Sequence, residues 1–166
     1  MMDPRLLLDQ WRLGLRISHR AHHEAAKYYQ RLHLIFGVPT VVISAFLSTA
    51  VFAALQHSNT TWIKYLLSIL SVVMIVMSSL KAFLRYAELS ERHKTAAAQI
   101  GEVRRDLEQH LAFVNIPITE ATVQELRKKW DAADRQAPTI PTSIYRKVEK
   151  LVAKSESAEP TPTVTK

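Results

Sequence analysis

His19, His22, His23 and Glu24 fall within one short stretch, at separations that bring imidazoles onto adjacent turns of a helix. Such a group can chelate a divalent metal only if a third ligand converges on it from elsewhere. The pattern shows none, so the histidines read as solvated or as members of a helical seam, and neither metal nor cofactor is expected. His22 has a second pairing open to it. His22 precedes one long apolar run and His93 follows another, each ~14–16 Å from the run's end by helical rise. As one polar layer, the two rings either set the register of two helices or charge near neutral pH and loosen them.

Hydroxyls make two further groupings: Thr40, Ser44 and Ser48 with Gly37, and Ser68, Ser71 and Ser78 with Ala82. Stripes of small residues permit close helix packing, and hydroxyl stripes also suit the lining of an aqueous path. Arg104, Arg105, Arg127, Lys128, Lys129, Arg146 and Lys147, followed by Lys150 and Lys154, are candidates for holding an anion such as a nucleotide or a short nucleic acid. The plainer reading is a solvated face or contact with anionic lipid headgroups. No glycine-rich phosphate loop or aromatic platform accompanies them. The absence of Cys excludes disulfides, thiolate metal sites and a cysteine nucleophile. No nucleophile motif or carboxylate pair is present either, so the chain is not expected to be an enzyme.

The elements that must position these residues follow from where the charges are missing. Leu32 to Ile63 contains no Lys, Arg, Asp or Glu, and Tyr65 to Leu80 again contains none, so the net charge of +7 sits outside these two charge-free stretches. The runs 34–55 and 62–84 are each long enough, at about 1.5 Å per residue, to cross a hydrocarbon core of about 30 Å. Lys64 and Lys81 lie near the ends of the second, where long side chains reach the interface. The connection QHSNTT is short enough to force an antiparallel hairpin. A long charged segment precedes the first run, which is wrong for a cleaved signal peptide. Arg16, Arg20, Lys27 and Arg31 before the first span, and Lys81, Arg85, Arg92 and Lys94 after the second, predict that both termini are cytoplasmic.

Leu8, Trp11, Leu15, Ser18, Ala25, Tyr29 and Leu32 recur in steps of three and four over 5–33, interrupted by His22. Ala82, Tyr86, Leu89, His93, Ala96, Ile100, Val103, Leu107, His110 and Val114 continue the same alternation, so the second span is expected to run on as one helix through 85–114. The two extensions would form an antiparallel, coiled-coil-like stalk. Thr119 can cap a helix over 119–136 with Val123, Leu126, Trp130 and Ala133 on its face. Pro138 and Pro141 impose an extended stretch before a helix over 143–153 carrying Ile144, Tyr145, Val148 and Leu151. A disordered tail is expected over 155–166. The fold class is all-α: a two-span transmembrane hairpin with long cytoplasmic extensions and short C-terminal helices, forming one membrane domain over 1–154.

The helix from Trp11 to Tyr29, the opening FGVPTVVISAFLST, the exit AFLRYAELSERHKTAA and the series Trp130, Pro138, Pro141 and Tyr145, in that order, resemble the SLATT family of two-span bacterial effectors over about residues 5–150. The resemblance implies an antiphage effector in the inner membrane that assembles into a pore. It also implies control by a nucleotide or oligonucleotide signal from a partner nucleotidyltransferase. With no sensor domain fused to it, the chain would read such a signal through its own helices or through a partner. Two helices cannot enclose water, so a homo-oligomer is expected, with a tetramer preferred. The alternative is a non-conducting membrane anchor whose cytoplasmic helices recruit a partner. A carrier is disfavoured, because neither span holds a charged or broken midplane site.

Overall fold

The computed structural model describes residues 4–57, 61–113 and 117–158, and among them there is no strand. The helices are α1 (Pro4–His57), α2 (Thr61–Leu84), α3 (Tyr86–Ala112), α4 (Glu120–Gln136) and α5 (Thr142–Ala158). The chain divides into two compact units. A helical unit takes the chain up to Lys27 and from Ser90 onward, and a hairpin unit comprises Tyr28–Leu89.

In the helical unit, α1 and α3 pack antiparallel. Leu15 and Leu8 stand one and two heptads before His22, and Ile100 and Leu107 one and two heptads after His93. All four leucine and isoleucine side chains are fully buried in one core. Burying each contributes about 1.5–3 kcal/mol. The small residues Ala21, Ala25, Ala26, Ala96 and Ala97 bring the two backbones close at the other end of the seam. There the Ser90 hydroxyl donates to the Ala26 carbonyl at 2.9 Å.

α4 closes this core with Leu126 and Ala133, assisted by half-buried Val123 and Trp130. It starts where Thr119 accepts the Thr122 amide at 3.3 Å. It stops at Ala137, whose extended backbone suits the residue before Pro138. The Pro141 carbonyl then accepts the amides of Ile144 and Tyr145, opening α5. Val148 and Val152 of α5 bury against Ala21 in a second cluster with Ile17, Ile140 and Ile144.

The hairpin unit inverts this pattern. Its helices are long and apolar enough to span a bilayer, and only 6% of either apolar window is buried. A core helix of a water-soluble protein would have most of that window covered. Phe46, Val73, Ile75 and Phe83 are all exposed, and of the hairpin's described large apolar side chains Met74 is the buried one. Pro39 lies inside α1 rather than at a helix start. Next to the bond that it removes, the Thr40 hydroxyl donates to the Phe36 carbonyl.

Three expectations need correction. The second span does not continue as one helix, because Arg85 interrupts it with a φ of 43°. A left-handed residue other than Gly costs about 1–2 kcal/mol. Here Tyr86, the first residue of the resumed helix, stacks on Tyr29 and on Phe36 at 6.1 Å each, Arg85 contacts Glu88, and the Arg85 carbonyl accepts the Leu89 amide. The last helix does not end at 153. It extends to Ala158, with the Ser155 and Ser157 hydroxyls donating to the carbonyls of Val152 and Lys154, since lengthening an existing helix needs no new nucleus. Residues 159–166 of the expected tail lie outside the described residues, as do 58–60 of the connection and Val114. Finally, α5 buries Val152 rather than Leu151, which is exposed with Tyr145.

Candidate functional site

The histidine stretch is divided by its own helix. His22 points into the α1–α3 seam, where its Nδ1 lies 3.0 Å from Nδ1 of His93 and the ring centroids are 5.2 Å apart. Both side chains are buried. One ring must donate and the other accept, so the pair is satisfied only while at least one of the facing nitrogens is unprotonated. Burial and then His22 push the pKa of His93 down to about 4. Burial likewise lowers that of His22, partly opposed by Asp134. His19 and His23 turn away from the seam and stack on each other at 6.2 Å. No group of three or more potential metal ligands occurs among the described residues.

The seven basic candidates are dispersed. Lys129 bridges α4 to α3 through Asp106 at 2.9 Å and also meets Glu125, and these hydrogen-bonded carboxylates raise its pKa. Arg127 pairs with Asp131 on its own helix. Lys128, Arg146 and Lys147 are exposed, Lys147 close enough to Glu24 to help depress that carboxyl after the larger effect of Lys27. Arg104 and Arg105 have different company. They stand on α3 with His19, Arg20 and His23 of α1, and burial followed by the charges of Arg104, His23, Arg105 and Arg20 lowers the pKa of His19. The sequence patterns had placed His19 and His23 with His22, and the two arginines with distant lysines.

A cavity of about 840 Å³ in the helical unit was not foreseen. Trp11 and Trp130 meet edge to face beside it at 5.8 Å, and Tyr145, Asp131, Asp134 and His22 share its wall. A Cβ at Gly14 would stand 3.3 Å from the Trp130 ring, so any larger residue there requires the ring to shift by a few tenths of an ångström. Arg127, paired with Asp131, also lines the cavity, so the aromatic faces and the remaining carboxylate of Asp134 suit a flat ligand that donates hydrogen bonds. The signal in the sequence is Trp11 in the first seam and Trp130 on the face of the helix over 119–136.

In the hairpin unit, the Thr40, Ser48 and Ser71 hydroxyls donate to carbonyls four residues back in their own helices. Their oxygens remain able to accept. Thr40 and Ser78 come together on a cleft of about 380 Å³ that also has Lys81 in its wall, and Lys81 lies against Gly37. Ser44, Ser48 and Ser68 are exposed, while Ser71 is half-buried. The aromatic group of Tyr28, Tyr29, Phe36 and Tyr86 flanks the spans, as aromatic residues do at a membrane–water interface.

An all-helical hairpin with an exposed apolar surface, carried on a chain whose other helices pack around a conventional core, defines a two-span membrane protein. The family of SMODS and SLOG-associating 2TM effector domains, family 4, matches residues 14–157, and the chain belongs to it. It is therefore a membrane effector domain that sits in the lipid bilayer. Neither the curated proteins nor the solved structures gave a match.

Proposed function

We propose that this protein is a homo-oligomeric pore-forming effector of antiphage defence, four copies enclosing a path that depolarises the bacterial inner membrane. Both termini lie in the cytoplasm, as the basic residues flanking the spans favour. A nucleotide or oligonucleotide from a partner nucleotidyltransferase controls opening, and the protein itself performs no catalytic step.

The observation that carries the reading is the hairpin unit itself. Two helices leave nearly all of their apolar surface and the hydroxyls of Ser44, Ser48, Ser68 and Ser78 uncovered. Lipid satisfies the apolar side chains but gives the hydroxyls no reason to stand in stripes, whereas neighbouring copies around water do. Membrane potential and dye uptake in cells expressing the full chain test this. Depolarisation that Ser44→Phe or Ser71→Phe abolishes, with assembly intact on native gels, is the expected result. If neither variant alters depolarisation, these serines do not line the path; if depolarisation never occurs even during phage infection, the hairpin is an anchor.

A further inference from the structure

The association of His19 with Arg104 and Arg105 has a local cause in the backbone. Gly101 is buried within α3, where a glycine costs about 1 kcal/mol relative to alanine. A Cβ at this position would lie 3.0 Å from His19 Cδ2, 3.1 Å from His19 Nε2 and 3.5 Å from Arg105 Nη1. The missing side chain is thus a notch into which an imidazole from α1 and a guanidinium from α3 both reach. His23 stacks parallel on the His19 ring, and Arg20 and Arg104 complete the surroundings.

The charges acting most strongly on His19 are all positive. Arg104 has a carboxylate, Glu108, at 3.5 Å one turn further along its own helix, while no ion pair to Arg20 or Arg105 is found among the described residues. His19 Nδ1 is buried without a hydrogen-bond partner. A buried nitrogen left unsatisfied and several like charges in one place are both costs to the fold. An anion removes both together, by accepting from the imidazole and from the guanidiniums. Planar, always-charged guanidiniums paired with an imidazole fit a phosphate better than a single carboxylate, because its oxygens can engage several donors.

We propose that His19, Arg20, Arg104 and Arg105, gathered at the Gly101 notch, form a phosphate-binding site. The phosphate belongs either to a soluble polyphosphate-bearing molecule or to a lipid headgroup; the chemistry of capture is the same. The site deepens the control step of the pore reading and rests on that reading for its consequence, but binding itself is measured independently of conductance. Capture draws a proton onto His19, since the anion reverses the sign of the field that holds the imidazole neutral. Affinity therefore rises as pH falls through the imidazole range. The groups that set this dependence are Arg20 and His23 on α1 and Arg104 and Arg105 on α3.

The test uses the full chain in phosphatidylcholine nanodiscs, with tripolyphosphate as the soluble probe and phosphatidylglycerol nanodiscs as the lipid arm. Binding is followed by calorimetry and by the ring resonances of His19. Tripolyphosphate that binds and moves His19 to a higher pKa identifies a soluble ligand. A shift of His19 in phosphatidylglycerol alone identifies a headgroup. Arg105→Gln, an exposed change that leaves the core untouched, weakens binding about tenfold, while Lys94→Gln does not. Gly101→Ala, which displaces the His19 ring, weakens it as well. No His19 response in either arm, or binding indifferent to Arg105→Gln and Arg20→Gln, overturns the site. Binding that occurs with no effect on dye leakage from liposomes keeps the site and removes its link to the pore.

Discussion

The two units of this chain, both all-helical and both including part of α1, solve opposite problems. In the helical unit the large apolar side chains of Leu8, Leu15, Ile100 and Leu107 are hidden, and charged residues such as Glu91, Lys94, Arg127 and Lys150 face outward. In the hairpin unit apolar side chains such as Phe46 and Val73 face outward, and the described spans hold their cations, Lys64 and Lys81, near their ends. Water drives the first arrangement by excluding apolar surface. Lipid makes no such demand, so the hairpin leaves its apolar surface open and its helices need contact each other only through small residues and hydroxyls. A buried polar group consequently signifies different things in each unit. His22 and His93 stand out in a dry core, whereas Ser48 and Ser71 of the spans donate to carbonyls of their own helices.

Truncations at the core show the comparison most strongly. Ile100→Ala should destabilise the helical unit by about 2–5 kcal/mol, seen in denaturant unfolding of the full chain in detergent through Trp11 and Trp130 fluorescence. Phe46→Ala, made in an exposed position of the hairpin, should leave that transition where it is. The converse change is Val73→Arg, which should cost about 2.5–3.5 kcal/mol at the insertion step and deplete the membrane fraction, with little effect from the same charge introduced as Gln124→Arg in the helical unit. If Val73→Arg inserts normally, α2 does not face lipid.

The histidine pair sharpens the contrast next. Both groups are held below their ordinary pKa by burial, so between about 6.5 and 4 the unfolded chain carries more protons than the folded one. The stability they allow is complete above 6.5 and is lost as pH falls toward 4, on the order of 3 kcal/mol for His93. Thermal unfolding followed across that range should show the loss, and the double variant His22→Leu with His93→Leu should lack it. His22→Leu alone should be less stable than either, because His93 then faces a methyl group. The smallest effect is expected from Thr119→Ala, about 1 kcal/mol through the lost cap of α4, read as faster amide exchange over residues 120–123.

Much of this organisation was legible in residue order. Two charge-free runs reveal the spans because a charge in hydrocarbon is expensive wherever the chain goes. The heptad rows Leu8, Leu15, His22 and His93, Ile100, Leu107 reveal a seam because helical period is a local property. Thr119 and the proline pair mark helix ends for equally local reasons. The break at Arg85 has no such mark, since LRYA contains no Gly or Pro and the stacking of Tyr86 on Tyr29 and Phe36 that accompanies it is tertiary.

By itself, then, the sequence determined which segments are helical, which of them meet lipid, and that His22 and His93 stand in corresponding positions of two seams. Only the tertiary structure decided that His19 and His23 part from His22 and join Arg104 and Arg105, that Lys129 is taken up by Asp106, and that Trp11 and Trp130 flank a cavity. Helical period states which residues share a face. Which faces come together depends on how side chains of particular sizes, and one missing Cβ at Gly101, pack across the interface.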